Sequence, residues 1–262
     1  MSRQRDTWTL STLNVNGMRS AVSKGLPRWR SRSKSDVLAL QELRIHPDQM
    51  KPEHHPPRGW RSVQADAQKR GYSGTAVWSR LPVQATSTGF GLDWADAEGR
   101  VAIADLEPAR VVSIYLPSGS SGEARQALKE AFMAHLAEWA RGQLQGGRPV
   151  VLCGDFNIAH TRDDIHNPTG NKKNSGFLPH EREWFSELLA QGWVDVWRAA
   201  HPGEKTWTWW SNRGQARKLD RGWRLDYQLA SPDLAARVVD ASIQGRRPYL
   251  SDHCAVTVTY RK

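Results

Sequence analysis

The chain has 262 residues and a formal net charge of +10, because 37 Lys plus Arg residues stand against 27 Asp plus Glu. This surplus favours polyanionic partners, namely DNA, RNA or an anionic membrane, although solubility alone would also account for it. No apolar run approaches the roughly 18 residues of a spanning helix, and no secretory signal follows the charged N-terminus, so we expect no membrane partner. Two cysteines, Cys153 and Cys254, indicate a reducing compartment without a disulfide framework, and we expect a cytoplasmic protein, nucleoid-associated if bacterial.

The length is near the upper end for one domain. No Ser/Pro-rich linker, internal repeat or low-complexity tract divides the chain. We therefore predict a single domain over residues 1–262, in which residues 1–6 form a short N-terminal tail.

Apolar, β-branched runs alternate with helical patterns along the chain, which predicts an α/β architecture. Strands are predicted over residues 7–15, 37–41, 74–78, 101–105, 111–115, 150–153, 224–230 and 255–260. A long amphipathic helix is predicted over residues 122–144, where large apolar side chains recur at helical spacing. A shorter helix is predicted over residues 179–191, with Pro179 at its start and Gly192 after its end.

Six short polar motifs follow or adjoin these apolar runs. They occupy residues 14–17, 41–42, 115–117, 154–157, 222–226 and 251–253. Polar groups collected at strand ends can bind a divalent cation, position a water molecule and hold a phosphate. The six motifs, in this order, predict a metal-assisted phosphodiesterase.

Two of the motifs carry candidate acid–base and metal groups. Asp155 and Asn157 are two residues apart, so in an extended segment both side chains would point the same way. The alternative is an Asx-turn that only caps the strand. Glu42 ends a hydrophobic strand, where a carboxylate is costly unless it is exposed, paired or bound to metal. One such carboxylate suits Mg²⁺, which keeps several waters, and the alternative is an exposed charge.

His253 lies just before the last predicted strand, and Asp226 lies in the motif before it. A histidine acts as acid, base or phosphate ligand when a carboxylate fixes its tautomer. Asp226 is a candidate for that partner, and a structural or solvated histidine is the alternative.

Three further stretches narrow the class. Residues 167–177 read NPTGNKKNSGF, residues 71–74 read GYSG, and residues 222–227 read GWRLDY. With the six motifs, they make the chain resemble the exonuclease III family of apurinic/apyrimidinic (AP) DNA endonucleases, within the endonuclease/exonuclease/phosphatase superfamily. The resemblance spans about Leu10 to Tyr260.

The resemblance implies a fold and an activity. The fold would be a DNase I-like, four-layer α/β sandwich of two packed mixed β-sheets flanked by helices. The reaction would be hydrolysis of the phosphodiester 5′ to an abasic site, which leaves a 3′-hydroxyl and a 5′-deoxyribose phosphate. Further expectations are 3′→5′ exonuclease and 3′-phosphodiesterase activity, Mg²⁺ or alternatively Mn²⁺ as cofactor, a monomeric state, and double-stranded DNA with abasic or 3′-blocked sites as substrate.

The resemblance also implies roles at the catalytic centre. Glu42 would be the main metal ligand, and the metal site would also include Asn14, Asp252, Asp155 and Asn157. Asp155 would transfer a proton, either from the attacking water or to the leaving oxygen, and Asn157 would orient the nucleophile. The scissile phosphate would be bound by Tyr115 and His253, with Asp226 orienting His253.

Further residues would contact the DNA. Backbone phosphates would be held by Asn171, Asn174, Lys172 (or its neighbour Lys173), Gly71, Tyr72 and Arg19. The abasic sugar would be enclosed by Trp209, Trp223 and Leu225. An apolar wall can accept a sugar that has no base, and flipping costs least where pairing is already absent. The alternative for any tryptophan is a place in the core.

The chain departs from the family pattern at two places. Asn16 stands where the animal-type branch usually has Asp, which removes one carboxylate near the metal. The loop over residues 117–122 lacks the bulky or cationic residue that some relatives insert into the duplex, and Arg213 is the candidate wedge instead. Two alternatives remain: another phosphatase or nuclease of the superfamily, or a non-catalytic DNA-binding protein of the same fold.

Overall fold

The computed structural model describes residues 6–244 and 249–262. Its strands are β1 Thr7–Asn14, β2 Val37–Gln41, β3 Arg61–Ala65, β4 Thr75–Ser79, β5 Val83–Thr88, β6 Val101–Leu106, β7 Arg110–Tyr115, β8 Val150–Asp155, β9 Val194–Asp195, β10 Trp209–Trp210, β11 Gly222–Trp223, β12 Asp226–Ala230, β13 Val238–Gln244 and β14 Ala255–Arg261. Its helices are α1 Met18–Ser23, α2 Leu26–Ser33, α3 Asp93–Ala97, α4 Glu123–Gln145, α5 Pro168–Asn171, α6 Pro179–Ala190, α7 Val196–Ala200 and α8 Pro232–Ala235.

The strands form two six-stranded sheets and one short ribbon. The first sheet has the order β13-β14-β1-β2-β4-β3, the second has the order β5-β6-β7-β8-β12-β9, and β10 pairs with β11. Each large sheet contains one parallel pair near its middle, β1 with β2 and β7 with β8. Both sheets are therefore mixed, and the carboxyl ends of each parallel pair lie at the same edge of their sheet.

The apolar side chains divide into an inner and two outer layers. In β2, Val37 and Ala39 point into the core between the sheets, whereas Leu38 and Leu40 point outward, because side chains alternate along a strand. Helices α1 and α2 cover that outer face of the first sheet. Helices α4 and α6 cover the outer face of the second sheet. The predicted four-layer α/β sandwich is confirmed.

All eight predicted strands are present, and their ends agree with the prediction to within two residues. The prediction over residues 224–230 began too early, because Arg224 and Leu225 lie outside β12, which starts at Asp226. The predicted helices correspond to α4 and α6. The sequence analysis missed β3, β5, β9 and β13, which are the edge strands of the two sheets, and the short strands β10 and β11 of the ribbon.

The predicted N-terminal tail lies almost wholly outside the described residues, of which Asp6 is the first. Within residues 6–244 and 249–262, no helix is both long enough and apolar enough to cross a bilayer.

Candidate active site

A cleft of about 640 Å³ opens where the carboxyl ends of the two parallel strand pairs meet. Asn14 ends β1, Glu42 follows β2, Tyr115 ends β7 and Asp155 ends β8. Beneath the cleft, the Gln41 amide donates a 2.9 Å hydrogen bond to Ser113 Oγ, which joins the two sheets. The cleft is lined by the predicted residues Asn14, Glu42, Tyr115, Asp155, Asn157, Asn174, Trp209, Trp223, Leu225, Asp252 and His253.

The turn after β8 positions Asp155 and Asn157. Gly154 has φ +140°, and a Cβ there would collide with the Ile114 carbonyl oxygen, so the close approach of β7 requires glycine. Asn157 has φ +50°, so the segment is not extended as expected. The left-handed turn still brings the two side chains together, because the Asn157 amide donates to Asp155 Oδ2 at 3.2 Å.

The Asp155 carboxylate is buried and surrounded by donors. Asn14 Nδ2 donates to Asp155 Oδ2 at 2.9 Å, and the Asn157 backbone N–H donates to Oδ1 at 2.9 Å. Burial raises the pKa of the Asp155 carboxyl to about 7, with a further rise from Asp226, and this outweighs the lowering by His253. Asp155 can therefore exchange a proton near neutral pH.

His253 and Asp226 form a buried pair beside Asp155. Asp226 lies directly opposite Asp155 in the β8–β12 ladder. His253 Nδ1 lies 2.8 Å from Asp226 Oδ2, and His253 Nε2 lies 3.9 Å from Asp155 Oδ2. Burial lowers the pKa of His253, but the carboxylates of Asp226 and Asp155 raise it by more, so that the pKa is about 10. The imidazole is therefore protonated at neutral pH, and Asp226 fixes its orientation.

Glu42 lies on the opposite side of the cleft. The Tyr115 hydroxyl donates to Glu42 Oε1 at 2.8 Å, and Arg44 Nη2 donates to the same oxygen at 2.5 Å. Burial raises the pKa of Tyr115 well above its usual value, and the negative charges of Glu42 and Asp155 raise it further. Tyr115 therefore remains a neutral hydrogen-bond donor.

Asp252 also reaches the cleft, and its carboxylate accepts three side-chain hydrogen bonds. Asn16 Nδ2 and Ser251 Oγ donate to Oδ1, and Trp209 Nε1 donates to Oδ2. Although burial raises the pKa of Asp252, the positive charge of His253 and these donors bring it below its usual value. Asn16 thus supports the Asp252 charge at a position where a carboxylate would repel it.

The donor set of the cleft suits a hard divalent cation, because it consists of carboxylate and amide oxygens. In the described part of the chain, ligand atoms of Asp155, Asp226 and His253 lie within 4.8 Å of one another. His253 and Asp226 already bond to each other, however, and would have to separate to bind an ion. Glu42 forms an ion pair with Arg44, whose side chain is 44% exposed. Because an exposed arginine can move into solvent, the Glu42 side of the cleft can accept a cation with less rearrangement.

The apolar wall of the cleft comes from the short ribbon. Trp209 pairs with Trp223 across β10 and β11, and their rings meet edge to face with centroids 6.1 Å apart. Trp209 also forms a bridge with His253, so the wall adjoins the catalytic centre directly. Gly176 has φ +94°, and a Cβ there would lie 3.0 Å from the Trp223 ring. The loop before α6 therefore closes on the wall.

A buried ion pair lies under this loop. Lys129 and Glu181 are both 0% exposed, and Lys129 Nζ donates to Glu181 Oε1 at 2.6 Å. Lys129 Nζ also donates to the Asn157 carbonyl oxygen at 2.9 Å. Glu181 Oε2 accepts from the backbone N–H groups of Gly176 at 2.7 Å and Leu178 at 3.0 Å. One ion pair therefore links the Asn157 turn to the loop carrying Asn174.

The other predicted DNA-binding residues are distributed more widely. Lys173, rather than Lys172, lines the main cleft, whereas Asn171 lines an adjacent cavity of about 610 Å³ that shares Trp223. Arg19, Gly71 and Tyr72 lie outside the lining of both cavities. The Tyr72 hydroxyl accepts hydrogen bonds from Arg100 and Arg125, so it belongs to an internal network.

The sequence analysis missed Arg44 and the loop residues Ser118, Gly119, Ser120 and Gly122 as parts of the cleft. Arg44 has φ +49° and Glu42 has φ +55°, so two successive left-handed turns direct the chain past the site. Apolar periodicity carries no signal for these turns. Small polar loop residues resemble any surface loop.

Comparison with known proteins gives the family of this chain. A model of the endonuclease/exonuclease/phosphatase family matches residues 11–253. An exodeoxyribonuclease of Bacillus subtilis (strain 168) is 36% identical over 253 residues, which cover 94% of this chain and 97% of the relative. A DNA-(apurinic or apyrimidinic site) endonuclease of Dictyostelium discoideum is 35% identical over 252 residues, which cover 94% of this chain and 68% of the relative.

Among solved structures, an AP endonuclease from Archaeoglobus fulgidus matches with a TM-score of 0.87 and 27% identity, covering 97% of this chain and 99% of that one. The DNase I-like fold and the enzymatic class expected from the motifs are confirmed. This chain belongs to the endonuclease/exonuclease/phosphatase family.

Proposed function

We propose that this protein is a metal-dependent AP endonuclease of DNA base excision repair. It hydrolyses the phosphodiester 5′ to an abasic site in duplex DNA and leaves a 3′-hydroxyl and a 5′-deoxyribose phosphate. The observation that carries this proposal is the position of the Trp209–Trp223 wall, which bridges to His253 and borders the same cleft as Asp155. A sugar without a base fits between an apolar wall and a phosphate-binding group, whereas a normal nucleotide also needs space for its base.

Each residue of the cleft has a separate role in the proposed reaction. Asp155, with its pKa of about 7, takes a proton from the attacking water or gives one to the leaving oxygen. Asn157, hydrogen-bonded to Asp155, orients the water. The protonated His253 and the neutral Tyr115 hydroxyl donate to phosphate oxygens as charge develops on them. Mg²⁺, or alternatively Mn²⁺, would be held by Glu42 and Asn14, near Asp252, and would neutralise phosphate charge when bound.

A duplex carrying one abasic site, incubated with and without EDTA and resolved on a sequencing gel, tests this function. We expect one cut immediately 5′ to the abasic site, a product with a 3′-hydroxyl, and no cut with EDTA. Equal cleavage of an intact duplex would instead assign the protein to the general nucleases of the family.

Activity at DNA 3′ ends is the second part of the proposal. The relative from Bacillus subtilis is named an exodeoxyribonuclease. We therefore propose 3′→5′ exonuclease and 3′-phosphodiesterase activity at the same centre, carried out by a monomer. A non-catalytic role is disfavoured, because Glu42, Asp155 and His253 all line the cleft.

Replacing Glu42 with Gln should raise the Mg²⁺ concentration needed for half-maximal cleavage. Glutamine keeps the shape of the side chain but removes its charge, and high Mg²⁺ should restore the rate because the ion retains most of its waters and other ligands. Titration of Mg²⁺ in single-turnover assays measures the shift. Glu53→Gln, at an exposed position, is the matched control, and a curve for Glu42→Gln that coincides with wild type would refute the metal-ligand role.

Replacing Trp223 with Ala should reduce the preference for abasic over intact duplex. If the ring packs on the sugar as aromatic rings pack on nucleotides, the loss is about 1–3 kcal/mol. The dependence of affinity on salt should be the same for the variant and the wild type, because the salt slope reports cationic contacts to phosphate and the Trp223 ring is uncharged. Binding isotherms for both duplexes at several salt concentrations measure the two quantities.

Trp94→Ala is the control for this change. Trp94 is half-buried outside the cleft, with its ring centroid 6.2 Å from that of Phe132. If Trp223→Ala keeps the full preference for abasic DNA, the sugar site lies elsewhere.

A further inference from the structure

The segment between β1 and β2 has an unusual charge pattern. Residues 17–35 contain no Asp or Glu. Six cationic side chains occur there, against a net charge of +10 for the whole chain: Arg19, Lys24, Arg28, Arg30, Arg32 and Lys34. Within residues 6–244 and 249–262, none of the six forms an ion pair with a carboxylate.

The segment runs from the cleft, at the carboxyl ends of β1 and β2, to the amino ends of the same two strands. At its start, the Gly17 N–H donates to the Glu42 carbonyl at 2.8 Å, and Arg19 Nη2 contacts the Arg44 carbonyl at 3.5 Å. At its end, the Asp36 N–H donates to the Thr9 carbonyl at 2.8 Å. The five residues of β2 span roughly 17 Å between these ends.

The cations face solvent along this path. Leu26 and Trp29 of α2 are buried against the sheet, whereas Arg28, Arg32 and Lys34 are exposed and Arg30 is half-buried. We name the five residues Lys24, Arg28, Arg30, Arg32 and Lys34 the α1–α2 cation track. Because the apolar residues of α2 point inward, the track offers charge without an apolar face that could enter a lipid bilayer.

The arrangement is unfavourable for α2 itself. Arg28 is the third residue of the helix, where a cation opposes the helix dipole, and the first turn holds no acidic residue. Arg28 and Arg32 are four residues apart, so their like charges are neighbours on one helix face. The dipole favours the cations of the last turn, Arg30 and Arg32, and Lys34 at the C-cap. A bound polyanion would relieve both unfavourable terms.

We propose that the α1–α2 cation track binds the backbone phosphates of duplex DNA that extends beyond the cleft. The inference rests on the proposed function for its partner, because the segment that carries the track begins beside Glu42, the proposed metal ligand. The distance of roughly 17 Å that the segment crosses, from one end of β2 to the other, corresponds to about five phosphates along one strand. The track would hold intact and damaged duplex alike, since phosphates carry no sequence information.

The test uses the triple variant Arg28→Gln/Arg32→Gln/Lys34→Gln and intact duplex. The slope of log K against log salt concentration should become less negative by up to roughly 2.7, because each of the three lost phosphate contacts contributes about 0.9. The thermal midpoint should change little, because loss of the Arg28–Arg32 repulsion offsets loss of the favourable dipole interactions of Arg32 and Lys34.

The control variant is Arg141→Gln/Lys205→Gln/Arg237→Gln. It removes the same net charge, but its three cations lie outside the track and are paired with Glu138, Asp163 and Asp233. The control should keep the wild-type slope to within about 0.9, the value of one contact.

Equal slopes for the two variants would overturn the proposal. An unchanged DNA slope, together with weaker binding of the track variant to phosphatidylserine vesicles, would overturn it in favour of a membrane surface. Cleavage of abasic duplex by the wild-type protein is recorded separately. A wild-type protein that binds DNA through the track but cuts no abasic site would refute the proposed function and leave the track established.

Discussion

Replacing Asp155 with Asn will reduce cleavage of abasic DNA by roughly 10²–10⁴-fold, the usual contribution of a general acid or base, while binding of abasic DNA persists. The substitution is nearly isosteric, and its amide oxygen can still accept from the Asn157 N–H. It removes the group whose pKa burial has raised to about 7. Single-turnover rates and binding isotherms separate the two effects.

Asp93→Asn, an exposed position on α3, is the matched control and should keep the wild-type rate. A rate within threefold of wild type for Asp155→Asn would refute the proton-transfer role, whose smallest expected effect is about 10²-fold.

The pH profile of the wild-type enzyme should distinguish the two proton-transfer roles of Asp155. If Asp155 takes a proton from water, it must be ionised, so the rate rises as the pH passes through about 7. If it protonates the leaving oxygen, the rate falls there instead. In either case activity should fall near pH 10, where His253 loses its proton.

Replacing Lys129 with Met should destabilise the protein by about 3–5 kcal/mol, because it leaves the buried Glu181 carboxylate without its partner. Burial already lowers the pKa of Lys129, and the charge of Glu181 only partly offsets this. The same change frees the Asn157 carbonyl oxygen and loosens the attachment of the Gly176 loop. Urea denaturation measures the loss of unfolding free energy.

The control lies on the same helix. Arg141 pairs with Glu138 at 2.8 Å, but these side chains are 53% and 76% exposed. Arg141→Met should therefore cost no more than about 1 kcal/mol, as is usual for exposed pairs. If the two variants unfold at the same urea concentration, the buried pair contributes nothing particular to stability.

The sequence predicted the interior of both sheets but not their edges. A central strand such as β2 is buried on both faces, so it appears as a continuous apolar run. An edge strand such as β5 is exposed for most of its length and reads Val-Gln-Ala-Thr-Ser-Thr, which resembles a loop. Pairing with a neighbour, rather than apolar pattern, makes it a strand.

The candidate site was predicted where side chains end a strand and missed where backbone turns or buried charges support it. Asp155 and Glu42 follow apolar runs, so their place at the sheet edge could be read from the sequence. The left-handed conformation of Glu42 could not be predicted from the sequence. The turn depends on hydrogen bonds from the backbone after Glu42 to the carbonyl oxygens of Ser73 and Gly74, which precede β4. Lys129 was hidden for another reason: on an amphipathic helix, a lysine predicts an exposed position.

The pairing of β1 with β14 has a consequence for the synthesis of the chain. Thr7 lies opposite Arg261 in this ladder, so one edge of β1 remains unpaired on the ribosome until β14 is made. His253 is made just before β14. The first sheet and the His253 side of the cleft are therefore completed together, and a nascent chain that has not reached β14 lacks both.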